Sequence, residues 1–281
     1  MKKIFIVGAG TMGLDIAQAF AEHNFSVVVR DISDEIINNS SKRLNSSLSR
    51  LVAKNKIAQE KMDGILGNIE FTTSLDSASD ADLILEAIIE NADIKKKLFS
   101  ELDSICKNET VFATNTSSIS ITEIASATKR ADRFIGMHFF NPANRMKLVE
   151  VIRGANTSDE TFELIKNLAL QIEKEPVEVA EAPGFVVNRI LIPMINEAIF
   201  VYSEGIASAK DIDSAMQLGA GHPMGPLSLA DFIGLDVCLA IMDTIYNETQ
   251  DSKYRACPLL RKMVRGKKLG RKTKEGFFKY E

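Results

Sequence analysis

Two groups of residues in this chain have the types and spacing to do chemistry. One is Gly8-x-Gly10-x-x-Gly13, followed by Asp31. The other is His138, in His138-Phe139-Phe140-Asn141-Pro142, with Glu150 further along. Glycines at the first spacing suit a phosphate-binding turn. Gly8 permits the tight turn, Gly10 lets the backbone approach a pyrophosphate, and Gly13 lets helix and strand pack closely. A helix that begins there turns N–H groups and its positive dipole end toward the phosphates. Asp31 stands where a carboxylate accepts hydrogen bonds from an adenosine ribose and repels a 2′-phosphate, which favours NAD over NADP. Arg30 beside it could meet a 2′-phosphate, so NADP stays open as the second choice. The competing reading is a glycine turn without a ligand. His138 follows the apolar run Phe134 to Met137, and an imidazole exchanges a proton near neutral pH. If 134–139 and 147–152 are neighbouring strands, Glu150 reaches that imidazole, fixes its tautomer and stabilises the imidazolium. Taken singly, His138 could equally be a satisfied core histidine, and Glu150 a surface acid.

The elements that must position these groups follow from the apolar pattern. Lys2 to Val7 reads as a strand, Leu14 to Phe20 as a helix, and Ser26 to Arg30 as a second strand. Further short runs at 83–85, 111–113 and 134–137, with helical segments between, predict a parallel sheet covered by helices, and 148–152 and 177–179 read as further strands completing it. From Ala182-Pro183-Gly184 the pattern becomes helical. Phe185 to Tyr202 is apolar nearly all round, with Pro193 as a candidate kink. Ser208 to Asp211 predicts a capped helix start. Leu218 to Pro226 is a loop, Leu227 to Tyr246 reads as one helix, and Phe277-Phe278 is a candidate strand. The boundary falls near residue 182, with α/β before it and all-α after.

Composition narrows the function classes. The 281 residues are 45% hydrophobic and 26% charged, with net charge −4. No apolar run approaches the roughly 18 residues of a membrane span, and the acidic balance argues against nucleic acid. Three widely spaced cysteines and three histidines give neither a disulfide framework nor a metal site; a reducing cytoplasm is the expected location. Residues 42–61 hold Lys42, Arg43, Arg50, Lys54, Lys56 and Lys61 against Glu60, on an amphipathic helix with Leu44, Leu48, Leu51 and Val52. Arg50 and Lys54 lie one turn apart on it. That basic face would attract a phosphorylated ligand; its alternative is a solvated charged face. The long apolar helix after residue 185 exposes more surface than one small helical layer covers, which predicts a homodimer or dimer-based oligomer.

Five motifs occur in order: Val7-Gly8-Ala9-Gly10-Thr11-Met12-Gly13, Glu86-Ala87-Ile88-Ile89-Glu90-Asn91, Asn115-Thr116-Ser117-Ser118, His138 to Pro142, and Pro183-Gly184-Phe185-Val186-Val187-Asn188-Arg189. Further matches run through Asp211-Ile212-Asp213, Gly219 to Pro226 and Gly276-Phe277-Phe278. Together they resemble the L-3-hydroxyacyl-CoA dehydrogenases over essentially the whole chain, and in length the short bacterial members. The resemblance implies a Rossmann-type doubly wound sheet over 1–182, with a helical insertion about 33–63. It implies a smaller all-α domain over 183–281 that serves dimerisation and the substrate cleft. The implied reaction interconverts a short-chain 3-hydroxyacyl-CoA, such as 3-hydroxybutyryl-CoA, and its 3-oxoacyl-CoA with NAD(H). His138 would be the general acid/base and Glu150 its partner. Ser117 and Asn188 would hydrogen-bond the substrate. Gly8, Gly10, Thr11, Met12, Gly13, Asp31, Glu90, Lys95, Asn115, Ser117, Asn141 and Lys272 would lie along the cofactor. Lys54 and Arg50 would meet CoA phosphates.

Each has a bland counterpart. Ser117 and Asn115 could form a local turn, and Asn188 could bond backbone. Glu90 and Lys95 could form a surface ion pair, and Lys272 could be a solvated charge. The nearest rival dehydrogenases, acting on 3-hydroxyisobutyrate or 6-phosphogluconate-like acids, look to use a lysine base, which the His138–Glu150 pattern disfavours. A dehydrogenase of a free hydroxy or sugar acid and a non-enzymatic crystallin-like NAD-binding protein are the alternatives.

Overall fold

The computed structural model describes residues 1–281, and they divide into two compact units, 1–181 and 182–281. The first unit begins β1 (Lys3–Val7), α1 (Thr11–Ala21) and β2 (Ser26–Arg30). It continues with α2 (Asp34–Ala53), α3 (Gln59–Gly67), β3 (Ile69–Thr72), β4 (Leu83–Glu86), α4 (Ala92–Ile105) and β5 (Val111–Thr114). It closes with α5 (Ile121–Ala125), β6 (Phe134–Phe139), β7 (Leu148–Arg153), α6 (Asp159–Gln171) and β8 (Glu175–Ala180). These strands form one sheet in the order β3-β2-β1-β4-β5-β6-β7-β8. All pairs are parallel except β6–β7, which is antiparallel.

The central strands read as short continuous apolar runs because helices cover both faces. Every residue of β4, β5 and β6 is buried. Phe99 of α4 packs against Phe112 and Phe134, with centroids 5.4 and 4.7 Å away. The strand β3 is absent from the sequence reading. It is four residues long, at the sheet edge and only half-buried, so it lacks the apolar run that marks its neighbours. The basic segment is a helical pair. In α2, Ser33 caps the start by accepting from the Ile36 N–H, and Asp34 and Glu35 complement the dipole. Ile37, Ser40, Leu44 and Leu48 form its buried stripe.

The second unit holds α7 (Val187–Ser203), α8 (Ala209–Ala220), α9 (Pro226–Ile233), α10 (Leu235–Thr249) and α11 (Pro258–Arg265). Ser208 caps α8 through the Asp211 N–H, and Pro193 lies inside α7. Two expectations are corrected. The segment 227–246 is two helices, because Gly234 adopts φ +105° between α9 and α10, a region that favours glycine. Phe277-Phe278 is no strand; the tail makes only isolated bridges, Gly270 with Glu275 and Glu275 with Lys279. The buried side of α7 is Ile192, Ile195, Asn196, Ala198 and Ile199, while Ile190 is exposed. Most of the helix's other apolar residues are only half-buried.

Candidate active site

After β1 the chain builds β2 and β3 on one side, then crosses to β4 on the other. Ligands of open α/β sheets bind outside the strand ends at such a reversal. Gly8 sits there with φ +110°, and a Cβ on it would lie 2.5 Å from the Ala87 carbonyl oxygen after β4. A Cβ on Gly13 would lie 1.8 Å from the Gly8 oxygen. Both glycines are thus required by the protein's own packing. Gly10 differs, because a Cβ there would meet no protein atom within 4 Å. Gly10 also starts α1 with no side-chain cap, and the first turn holds no acid. An uncapped helix N-terminus beside open space fits an anionic pyrophosphate, with Thr11 and Met12 in that first turn.

Asp31 accepts from the Ala9 N–H at 2.7 Å and from the Ile32 N–H at 2.7 Å. It shapes the glycine turn from behind β2. Ser40 of α2, buried, donates to the Ala9 carbonyl at 2.8 Å, and Arg43 reaches the same oxygen at 3.5 Å. Arg43 is read from the sequence only as part of the basic face of 42–61, and Ser40 not at all. A serine within the apolar stripe of α2 is the signal that could have flagged Ser40.

At the ends of β4 and β5 lies a polar network, buried at Glu86, Lys95, Thr114 and Thr116 and open to solvent at Glu90. Lys95 of α4 is only 1% exposed; its ammonium donates to Glu86 at 2.5 Å and lies 3.3 Å from Glu90. The surface ion pair considered for Glu90 and Lys95 is therefore corrected: Lys95 is a core residue, and Glu86 is its nearer partner. Glu86 also accepts from the Thr114 hydroxyl at 2.6 Å and the Ile88 N–H at 2.7 Å. Glu90 accepts from the Thr116 hydroxyl at 2.6 Å, the Ser117 N–H at 2.8 Å and the Ser118 N–H at 3.2 Å. Burial opposes ionisation of Glu90, but the Lys95 charge and these donors outweigh it and hold its carboxyl below the usual value. Ser117 is thereby tied to the loop after β4 as well as to its own strand. Glu86 and Thr116 lie in the sequence motifs with no role read for them, and Thr114 carries the network without any signal in the sequence.

The antiparallel pairing of β6 and β7 makes His138 and Glu150 register partners. Both are buried, and His138 Nδ1 lies 2.8 Å from Glu150 Oε2. A carboxylate there favours the Nδ1–H tautomer. The Phe140 ring lies 4.6 Å from the His138 ring. Asn115 does not make a local turn; its side-chain oxygen accepts from the Phe139 N–H at 2.8 Å and joins the end of β5 to β6. Asn141 is exposed in the following loop.

The remaining candidates lie elsewhere. Arg50 is in the last turn of α2 and Lys54 is its C-terminal cap; both are exposed. In the helical unit, Asn188 is the second residue of α7 and half-buried. Lys272 is paired with Asp236 at 2.6 Å, so it is no unpaired solvated charge.

Comparison with known proteins gives this geometry its family. Residues 3–182 match the NAD binding domain of 3-hydroxyacyl-CoA dehydrogenase, and residues 184–280 match its C-terminal domain. The chain belongs to the 3-hydroxyacyl-CoA dehydrogenase family, and it is an NAD-dependent dehydrogenase. A 3-hydroxybutyryl-CoA dehydrogenase of Clostridioides difficile is 53% identical, over 99% of both chains. A probable 3-hydroxybutyryl-CoA dehydrogenase of Bacillus subtilis is 49% identical, over 100% of this chain and 98% of that one. The crystal structure of an (S)-3-hydroxybutyryl-CoA dehydrogenase from Ralstonia eutropha superposes with a TM-score of 0.97 at 49% identity, covering 100% of this chain and 99% of that one. No helix is long and apolar enough to cross a membrane.

Proposed function

We propose that this enzyme interconverts (S)-3-hydroxybutyryl-CoA and acetoacetyl-CoA, with His138 as the general acid/base. The observation that carries the reading is the buried 2.8 Å contact between His138 and Glu150, at the end of the strand that follows the cofactor half of the sheet. Relatives named for this substrate, matching over nearly the whole chain, support it. The bound nicotinamide supplies the hydride acceptor or donor at the carbon that carries the 3-oxygen. His138 removes the 3-hydroxyl proton through Nε2 in oxidation and returns it in reduction. Glu150 accepts the Nδ1–H bond and balances the imidazolium charge. Ser117 and Asn188 hydrogen-bond the substrate oxygen or thioester.

Gly8, Gly10, Thr11, Met12 and Gly13 hold the pyrophosphate, and Asp31 the adenosine ribose. Glu90, Asn115, Ser117, Asn141 and Lys272 lie along the rest of the cofactor. Lys95, buried between two carboxylates, serves that surface by fixing Glu90. Arg50 and Lys54 attract CoA phosphates. The domain roles follow the same reading: residues 1–182 bind cofactor, and 183–281 serve substrate and dimerisation. Exposed Val186, Ile190, Ile206 and Leu218 in the helical unit support a homodimer, and sedimentation at micromolar protein tests it. Three buried free cysteines suit a reducing cytoplasm.

The test is NADH consumption with acetoacetyl-CoA, with free acetoacetate and NADPH as controls. Rapid NADH oxidation with the thioester and little with the free acid is the expected result. Equal rates with the free acid would overturn the CoA assignment, and a faster NADPH rate would overturn the reading of Asp31.

A further inference from the structure

The loop between β6 and β7 carries Phe140 and Asn141 directly after His138, and it is pinned by groups that no motif singles out. Lys174, the residue before β8, is buried at 6% exposure. Its ammonium has no carboxylate within ion-pair distance. It donates instead to two loop carbonyls, Ala143 at 2.7 Å and Met146 at 2.9 Å. Asn144 of the loop donates to the buried Gln18 of α1 at 3.1 Å. Ala143 itself is fully buried. The loop is therefore held through its Ala143 and Met146 carbonyls by Lys174, and through the Asn144 side chain by the helix that starts at the glycine turn.

We infer that Lys174 and Asn144 are positioning residues for hydride and proton transfer. They hold the 140–146 loop so that His138 and Asn141 keep a fixed place relative to α1 and its glycine turn. A buried lysine spent on backbone carbonyls is costly, and burial pushes the Lys174 ammonium below its usual range, against a weaker opposing pull from Glu22. Two carbonyl acceptors need two N–H donors, which the amine supplies in either protonation state. A misplacement of about 1 Å in a reacting group costs on the order of 100-fold in rate, so a loosened loop should appear in the chemical step before it appears in binding.

The inference rests on the reading of His138 as the proton-transfer group, which a separate variant, His138→Gln, tests. The experiment compares wild type with Lys174→Met, Lys174→Gln and Asn144→Ala in NADH oxidation with acetoacetyl-CoA, using NADH and NADH dideuterated at the nicotinamide C4. For Lys174→Met and Asn144→Ala we expect kcat to fall about tenfold and the isotope effect on kcat to rise. The Kd for NADH, from its fluorescence, should stay within about threefold. Lys174→Gln, which keeps an N–H donor, should recover most of kcat. Asn144→Ala removes the loop's side-chain bond to α1, so it tests the inference independently should Lys174→Met fail to fold. A lowered melting temperature with unchanged kcat and isotope effect in the folded variants would overturn the positioning role. Unchanged turnover in His138→Gln would instead overturn the underlying reading.

Discussion

Glu150 in the first unit and Asp231 in the second are equally buried, each 1% exposed, yet they meet different partners. Glu150 faces the His138 imidazole, a ring whose two nitrogens can donate or accept. Asp231 accepts from the Phe277 N–H at 3.0 Å, the Phe278 N–H at 2.9 Å and the Tyr280 hydroxyl at 2.9 Å. Burial and the neighbouring Asp231 push the Tyr280 hydroxyl up to about 12, so it stays a neutral donor. The Asp231 donors hold their protons, and the carboxylate anchors the C-terminal tail. Burial alone therefore does not mark a catalytic acid. What separates the two is the partner: an imidazole in one case, amide and phenol donors in the other.

That contrast can be broken by experiment. Glu150→Gln keeps the shape and removes the charge; turnover should fall about 100- to 1,000-fold, with the melting temperature nearly unchanged in calorimetry. Asp231→Ala should do the reverse. Two backbone donors and a hydroxyl lose their acceptor, which costs about 3 kcal/mol of stability in denaturant unfolding, while kcat per folded molecule is retained. Loss of turnover without loss of stability in Asp231→Ala would erase the distinction.

The glycines give a parallel test with a smaller effect. Gly10→Ala adds a Cβ that meets no protein atom within 4 Å, so stability should hold while NADH affinity drops about tenfold, or about 1.4 kcal/mol. Unchanged affinity would mean the open side of Gly10 is not the pyrophosphate site. The smallest effect is expected from Tyr280→Phe, which removes one of the three donors to Asp231 and should cost about 1 kcal/mol without touching turnover.

Much of this was legible in the residues, for physical reasons that differ by site. The glycine turn shows because backbone geometry forces glycine there, and the central strands show because burial on both faces forces unbroken apolar runs. The adjacency of β6 and β7 is visible from the short connection between their apolar runs. The break at Gly234 is hidden because apolar spacing continues across it from Ile233 to Leu235. The β3 edge strand is hidden by its half-exposed pattern. The depth of Lys95 is hidden because its nearer counter-charge, Glu86, sits on a different element, and nothing in the helix α4 itself announces a buried lysine. Lys174 is obscured in the same way, since its acceptors are backbone carbonyls, which carry no sequence signature.

The central claim is that His138 moves the substrate's proton. Steady-state reduction of acetoacetyl-CoA by His138→Gln, beside wild type and with NADH binding followed by fluorescence, tests it most directly. The account predicts a loss of about 1,000-fold in kcat, with NADH affinity within about threefold. Turnover equal to wild type in His138→Gln would contradict it.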